Sequence, residues 1–456
     1  MARRSTHLLV AALSSAAVIL ACSADIPVAP EATPLIPEGI PIDGMDNGHR
    51  LAGASASAAC TAGGGVEQLE LLPGFLQTVI GKESATFPRL PDMQVANETG
   101  AQPGRFLYRT HELATGGAVS VTDLTNGVTR ILAQRSDLEH LDGIVWTPWG
   151  TLLVAEEVGI AAQRDPAVPS AGGGLVYEVN PGTGALTPRP ALGSSSHEGM
   201  RFDKQNNLYG VSDFTPGYIF KFIADRAGDL SAGKLYALRI VQDAGDRTGF
   251  ADWVALDRTV VTFDAQAEAT AKGATGYDRP EGVLTGPSSG FALETKSMLY
   301  VSVTGENRVL AINLQPAGAP AGQVLVTDYI RVGVNAPADF TFPDNLARNL
   351  KGDLFVAEDP GGSAATGKTQ GDDVWMAPFD AANPGRALPL IRLLSLTDCD
   401  AEPTGLYIGP SDRSLFIDVA HRGGSDPRDL SIAVTRNNTT AFSRAPSESR
   451  DRSGFP

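Results

Sequence analysis

Short hydrophobic runs separated by polar turns fill most of the chain between residues 100 and 425. One pair of runs is Met200-Arg201-Phe202 and Leu208-Tyr209-Gly210-Val211, with the turn Lys204-Gln205-Asn206-Asn207 between them. Runs of this length around a polar turn indicate β-hairpins. No amphipathic helical pattern continues for more than a few turns. The hydrophobic pattern therefore predicts an all-β protein.

Three of these hairpins carry acidic residues at their open ends. Asp142-Gly143 leads to Glu156-Glu157, Glu198-Gly199 to Ser212-Asp213, and Asp344-Asn345 to Glu358-Asp359, each with offsets of 14 and 15 residues. A hairpin brings its two ends together at one edge of a sheet, so the acids of each repeat should cluster. If the repeats are blades around one axis, the clusters face one another at one mouth of the channel. So many carboxylates could not all stay ionised without cations, and the pattern predicts a metal site.

The hairpin pattern predicts a six-bladed β-propeller, with seven blades as the alternative. The candidate blade centres are Asp142–Glu157, Glu198–Asp213, Phe250–Asp264, Glu281–Thr304, Asp344–Asp359 and Thr404–Ala420, with Phe106–Leu132 left to complete the circle. Their spacing of about sixty residues exceeds the usual propeller repeat of roughly 40–50 residues. We therefore expect decorated loops.

The N-terminus is typical of an exported protein. A basic start, Met1–Arg4, precedes the apolar run Leu8–Ala21, which is too short to span a membrane as a stable helix. We assign residues 1–21 to a signal peptide. Ile19–Cys22 resembles a bacterial lipoprotein processing site in which Cys22 is lipidated, and cleavage by an ordinary signal peptidase is the alternative. The expected location is the periplasm or the cell surface, with a lipid anchor at Cys22.

The remaining chain divides by composition into three segments. Residues 22–65 are rich in Pro, Ala, Gly and Ser and predict a flexible tether. Residues 66–435 form the predicted β-propeller domain. Residues 436–456 are polar and charged and predict a frayed tail.

Charge and cysteine content limit the partners. Removing the signal peptide takes the formal charge from −16 to −18, which repels nucleic acid and anionic membranes. We expect no nucleic acid partner, and membrane contact through the lipid anchor alone. Cys60 and Cys399 are the two cysteines besides Cys22. The oxidising compartment of an exported protein permits these cysteines to form a disulfide. The alternative is that they are two separate buried thiols.

Five short motifs around the acids resemble the PhoX-type alkaline phosphatases, a family of secreted, calcium-dependent β-propellers. They are Thr147-Pro148-Trp149-Gly150-Thr151 leading to Glu156-Glu157, His197-Glu198-Gly199, Arg279-Pro280-Glu281-Gly282, Pro343-Asp344-Asn345-Leu346 and Glu402-Pro403-Thr404-Gly405. They occur in the family's order. The resemblance implies a phosphomonoesterase that binds calcium and a pair of iron ions through carboxylates, with an arginine on the phosphate.

The resemblance and the acidic repeats together give the candidate site. Arg279 is the candidate phosphate-binding residue, since a planar guanidinium suits a bidentate phosphate contact. The alternative for Arg279 is a structural ion pair with Glu281. Hard oxygen donors suit calcium and ferric iron. The candidate metal-binding residues are Asp142, Glu156, Glu157, Glu198, Glu281, Asp344, Glu358 and Asp359.

One departure from the family bears on the metal. Members that hold the iron pair carry a cysteine before the Thr-Pro-Trp-Gly motif, and this chain has Asp142 there. Asp142 could still bind a metal through oxygen, but iron should then be weaker or replaced by calcium or another hard cation.

These observations predict a monomeric, metal-dependent hydrolase of small phosphate monoesters at the mouth of a propeller channel. A calcium-dependent lactonase or esterase of the gluconolactonase-like propeller type is the first alternative. A non-catalytic surface propeller that binds structural calcium is the second.

Overall fold

The computed structural model describes residues 35–46, 49–65, 67–286 and 298–437. The predicted signal peptide, Cys22 and most of the C-terminal tail lie outside these residues. The described residues are mostly β-strands, with one α-helix, which confirms the all-β prediction. Within them, no helix has both the length and the apolar character needed to cross a membrane.

The strands follow one another along the chain as antiparallel meanders. A small hairpin, β1 (Met45–Asp46) and β2 (His49–Arg50), precedes β3 (Leu69–Leu71) and β4 (Phe75–Lys82). The first four-stranded meander has β5 (Pro91–Ala96), β6 (Phe106–His111), β7 (Ala118–Asp123) and β8 (Val128–Gln134). The second has β9 (Leu141–Trp146), β10 (Leu152–Glu156), β11 (Val176–Val179) and β12 (Leu186–Pro188).

A nine-stranded sheet follows, in the order β13-β14-β15-β16-β17-β21-β20-β19-β18. Its first strands are β13 (His197–Phe202), β14 (Leu208–Ser212), β15 (Ile219–Arg226), β16 (Asp229–Gly245) and β17 (Thr248–Ala255). Helix α1 (Arg258–Ala271) then leads to β18 (Pro280–Leu284), β19 (Met298–Val303), β20 (Arg308–Asn313) and β21 (Val324–Arg331). The long β16–β17 hairpin joins the two halves, because β17 pairs with β21.

Two further meanders complete the molecule. One has β22 (Pro343–Arg348), β23 (Leu354–Glu358), β24 (Asp373–Ala377) and β25 (Ile391–Leu396), and the other has β26 (Glu402–Ile408), β27 (Ser414–Ala420) and β28 (Leu430–Arg436). Strand β3 adds to β25, and β4 adds to β28. Strands from the start of the described chain thus complete the last two sheets.

Six strands surround a central axis and give a propeller-like arrangement. Strands β5, β9, β13, β18, β22 and β26 neighbour one another in this order, and β26 returns to β5. Four clusters of buried apolar side chains fill the spaces between neighbouring sheets, and a fifth lies between the two halves of the nine-stranded sheet. We call these six the inner strands.

The predicted blade centre Phe250–Asp264 is wrong. Its first part belongs to the arm β17, and its second part lies in α1. The Asp257 side chain caps the helix by accepting a hydrogen bond from the Thr259 N–H at 2.8 Å, as Asp commonly does at this position. The segment Phe106–Leu132 lies in the first meander, whose inner strand is Pro91–Ala96.

Residues 35–65 pack against the last sheets, which corrects the tether prediction for that part of the chain. Ile42 is fully buried, and the Gly371 N–H donates to the Ala58 carbonyl at 3.0 Å. Cys60 and Cys399 form a disulfide with a Cα–Cα distance of 5.1 Å, which confirms the pairing. The disulfide ties this segment to the loop between β25 and β26.

Candidate metal centre

Each inner strand has a break in its register close to one mouth of the channel. In β13, His197 pairs with Ser212 and Met200 pairs with Gly210, so Glu198 and Gly199 together face one residue of β14. This is a β-bulge, which bends a strand and redirects a side chain. The same break falls at Asp142-Gly143 in β9 and at Asp344-Asn345 in β22.

The glycine after the acid allows neighbouring inner strands to meet backbone to backbone. A Cβ on Gly143 would overlap the Glu198 carbonyl, and one on Gly282 would overlap the Asp344 carbonyl. A Cβ on Gly199 would lie 2.9 Å from the Glu281 carbonyl oxygen. The acid–glycine repeat is therefore a packing requirement of the ring, and this packing brings the acids together.

Asp142, Glu157 and Glu198 form the densest group of carboxylates. Their candidate ligand atoms all lie within 4.8 Å of one another. Asp142 and Glu198 are 3% and 6% exposed, and their Oδ1 and Oε2 atoms make no hydrogen bond. Buried polar atoms without partners are rare. Oxygen-only donors with free lone pairs fit a hard cation such as Ca²⁺ or Mg²⁺.

Burial and mutual repulsion raise the pKa of these carboxyl groups. For Asp142 the first cause is burial and the second is the charge of Asp92. For Glu198 they are burial and Asp142, and for Glu157 they are burial and Glu112. Burial, with the nearby Asp359, raises the pKa of Asp344 to about 7. A bound cation would offset both costs of the ionised form.

Arg279 lies at the rim of this acidic mouth. Its Nη2 is 2.5 Å from Glu281 Oε1 and 3.6 Å from Asp359 Oδ2. Its Nε donates to the two Asp213 carboxylate oxygens at 3.2 and 3.3 Å. The side chain is 38% exposed, so one part of the guanidinium is open to a ligand while another part is held.

The backbone of Arg279 is in the left-handed region, with φ 51°, directly before Pro280. This conformation is uncommon for a residue with a side chain and marks a local strain. Leu90, His140 and Phe342 share it, and each also directly precedes an inner strand. His140 uses it to place Nδ1 2.8 Å from Glu112 Oε1. The rim therefore carries residues that reach towards the acids.

Two predicted metal ligands lie outside the cluster. Glu156 accepts hydrogen bonds from the N–H groups of Glu139 and Leu175 at 3.1 and 3.2 Å. Glu358 accepts from the Thr341 N–H at 2.9 Å and from Trp375 Nε1 at 2.8 Å. Both carboxylates accept hydrogen bonds from structural donors, and neither belongs to the group formed by Asp142, Glu157 and Glu198. The structure brings the other predicted site residues together at the mouth of the channel. They are Asp142, Glu157, Glu198, Arg279, Glu281, Asp344 and Asp359.

Four further acids belong to the mouth. They are Asp92, Glu112, Asp213 and Glu402, which act electrostatically on one another or on the predicted acids. Pro91-Asp92 has the same form as Pro343-Asp344, and this was the signal available in the sequence. The offset from Asp92 to Glu112 is 20 residues rather than 15, so the strict repeat missed the pair.

The sequence matches one known protein family. The sequence profile of a family described as alkaline phosphatase PhoX matches residues 142–423, which is more than half of the chain. A search of curated proteins finds no match.

The solved structures similar to this chain include the PhoX protein of Pseudomonas fluorescens in complex with vanadate, a transition state analogue. It is 17% identical, with a TM-score of 0.63, and the match covers 85% of this chain and 98% of that chain. A gluconolactonase from Xanthomonas campestris is 14% identical, with a TM-score of 0.45 and coverage of 85% and 99%. A virginiamycin B lyase from Staphylococcus aureus is 10% identical, with a TM-score of 0.42 and coverage of 79% and 99%.

Proposed function

The chain belongs to the PhoX alkaline phosphatase family, and from this premise we propose that it hydrolyses small phosphate monoesters at the acidic mouth of its central channel. The observation that carries the proposal is the contact of Arg279 with three carboxylates that lie on or next to strands of two sheets. Its guanidinium contacts Glu281, Asp213 and Asp359. An anionic substrate can contact the cationic side chain of Arg279 here. The carboxylates that surround this arginine require bound cations to stay ionised.

The acids and Arg279 have different proposed roles, which follow from their chemistry. Asp142, Glu157 and Glu198 would hold a hard cation, because their ligand atoms already lie close together. A bound cation would polarise the phosphoryl oxygens and lower the pKa of an attacking water. Arg279 would bind the phosphate through its exposed N–H groups and stabilise the charge that develops during transfer. Glu281 and Asp213 hold the guanidinium in place, so little reorganisation is needed.

We propose calcium as the principal cation. The support is the donor set, which consists of carboxylate oxygens, together with Asp142 at the position where iron-binding members of the family carry cysteine. Calcium takes six to eight oxygen ligands in flexible geometry, which suits a mouth with many acids. Iron remains a second candidate and should bind less tightly without a thiolate.

A paired measurement tests the function. Metal content is determined on the purified protein, and hydrolysis of p-nitrophenyl phosphate is followed before and after chelation and after calcium is returned. We expect activity that disappears on chelation and returns with calcium. Hydrolysis of a sugar lactone with no phosphatase activity would support the lactonase alternative. Bound metal without either activity would support the structural-calcium alternative.

The finer architecture is also a proposal. We count six blades, because six inner strands surround the axis and the nine-stranded sheet contains two of them.

The N-terminal sequence supports export and a lipid anchor at Cys22, and the disulfide fits an oxidising compartment. We further propose that the protein acts as a monomer.

A further inference from the structure

The contact between the first and last meanders is polar beside the channel, where an ion pair is completely buried. Arg109 in β6 and Asp418 in β27 are both 0% exposed. Arg109 Nε lies 3.2 Å from Asp418 Oδ1 and donates to Ser431 Oγ at 3.0 Å, and Nη1 donates to Thr122 Oγ1 at 2.8 Å. This network joins the first and last meanders of the ring.

Four buried polar atoms at this contact make no hydrogen bond. They are Arg109 Nη2, Asp418 Oδ2, and both Nε2 and Oε1 of Gln94. Gln94 is 5% exposed and is the cross-strand partner of Arg109, so their side chains leave the same face of the sheet. Unpaired polar atoms in a protein interior are costly, and each needs an explanation.

Gln94 lines a cavity of about 50 Å³ that the six inner strands surround. Each inner strand gives this cavity one central residue, in the order Gln94, Ile144, Met200, Val283, Leu346 and Leu406. Five of these six are apolar, and Gln94 is the exception; Arg201, Asn345 and Tyr407 are further polar residues in the lining. Gly405 also lines the cavity, and a Cβ there would lie 2.9 Å from Asp418 Oδ2. The cavity and the ion pair are therefore neighbours.

The chemistry of the unpaired atoms identifies the ligand class. Two are donors and two are acceptors, and the charges of Arg109 and Asp418 cancel. A cation would leave the donors unpaired, and an anion would leave the acceptors unpaired. A small neutral molecule that both donates and accepts satisfies all four, and water does this. At roughly 10–15 Å³ for each water centre, the cavity has room for about three to five waters.

We propose that ordered water, anchored on both amide atoms of Gln94, fills the axial cavity and bridges to the Arg109–Asp418 pair. This site is separate from the proposed phosphatase chemistry and does not depend on it. It places water inside the ring where the first and last meanders meet.

A crystal structure of the wild-type protein tests the proposal directly. We expect waters within about 3.2 Å of both Gln94 Oε1 and Nε2. Crystals pressurised with xenon should show none in the cavity, because xenon enters dry apolar cavities. Xenon bound beside Gln94, or a Gln94 amide paired directly with protein atoms around a dry cavity, would overturn the proposal.

Two variants give a matched comparison. Gln94→Leu removes both amide atoms at similar volume and should lose the waters and bind xenon. Leu346→Met changes another residue of the same ring without changing its polarity and should keep the waters. If Gln94→Leu retains the waters at the same positions, Gln94 is not their anchor. If that variant fails to fold, the wild-type crystals still decide the question.

Discussion

At the scale of single residues, the mouth depends on side chains held in unusual positions. Arg279 is the clearest case, because a left-handed backbone precedes Pro280 and three carboxylates contact the guanidinium. Burial lowers the pKa of this arginine, but the adjacent Glu281 and Asp213 charges outweigh burial and raise it overall. The side chain is thus a permanent cation, fixed beside the acids rather than free in solvent.

Replacing Arg279 should separate phosphate binding from metal binding. Arg279→Ala should lower kcat/KM for p-nitrophenyl phosphate by about two orders of magnitude, the usual scale for one preorganised charge-stabilising group. Metal content should stay near that of the wild type, because arginine is not a ligand. Arg279→Lys should restore only part of the rate, since a point charge lacks the bidentate geometry. Unchanged activity, or loss of the fold, would make Arg279 a structural ion-pair partner.

The adjacent acids Glu156 and Glu157 should respond in opposite ways. Glu157→Ala should weaken metal binding at least tenfold, and it should raise the melting temperature of the metal-stripped protein because it relieves repulsion. Glu156→Ala should leave metal content unchanged, but it should lower the melting temperature because the buried Leu175 N–H loses its acceptor, at about 1–3 kcal/mol, and the partly buried Glu139 N–H loses its acceptor as well. Calorimetry and metal titration on both variants check this. Equal effects on metal binding would contradict the assignment.

How much of the site the sequence could predict depended on strict spacing and on side-chain direction. The constant offset picked out Asp142, Glu198 and Asp344, which the structure places near one another at the mouth. The offset could not show which member of the pairs Glu156-Glu157 and Glu358-Asp359 faces the mouth, because neighbouring residues at a strand end point to opposite sides. Only one member of each pair faces the mouth, and the other meets backbone donors.

At the scale of elements, the sheets are built from local hairpins but completed by distant strands. The hairpin pattern predicted five of the six inner strands, since each pairs with the next strand along the chain, but it missed β5. It misread α1, whose apolar residues look like a strand until Asp257 is recognised as a cap. The additions of β3 to β25 and of β4 to β28 could not be predicted, because no local pattern specifies a partner more than 300 residues away.

Breaking the disulfide should test the importance of these long-range closures. Cys60 and Cys399 are 339 residues apart, and a loop of that size constrains the unfolded chain by about 6 kcal/mol in the chain-entropy description. The double variant Cys60→Ser, Cys399→Ser should therefore show a lower midpoint of chemical unfolding. Wild-type protein treated with reductant is the control and should shift by a similar amount. No shift in either sample would show that packing alone holds residues 35–65.

At the scale of the whole molecule, the closed ring concentrates negative charge at one mouth. Carboxylates from at least five of the six inner-strand hairpins act on one another there, as the raised pKa values of Asp92, Asp142, Glu198, Glu281 and Asp344 show. The fold thus stores electrostatic repulsion that cations would relieve. Stability, metal content and pH should be coupled.

This coupling predicts how the metal-stripped protein responds to pH. Carboxyl pKa values near 4 in the unfolded chain are raised in the folded state, to about 7 for Asp344. The stabilising contribution of the protonated acids is complete below about pH 4 and is lost as pH rises through the folded pKa. The melting temperature of chelated protein should therefore fall between about pH 5 and pH 8.

Calcium-loaded protein is the control for this measurement. It should melt at a higher temperature than the chelated protein, and the gap should widen as pH rises, because the ionised acids bind the metal and stabilise the folded state. Identical melting curves with and without metal across this pH range would contradict a cation site at the mouth.

The closure of the ring by β26 next to β5 also sets an order of events during synthesis. Asp92 and Glu112 leave the ribosome early, whereas Glu402, which shares their mouth, follows some three hundred residues later. Until β28 is made, β4 has no sheet partner and presents an open edge, the kind of surface on which chains aggregate. The complete acidic mouth therefore does not exist on a nascent chain. Cation capture by the full set of acids must be one of the last steps in the maturation of the protein.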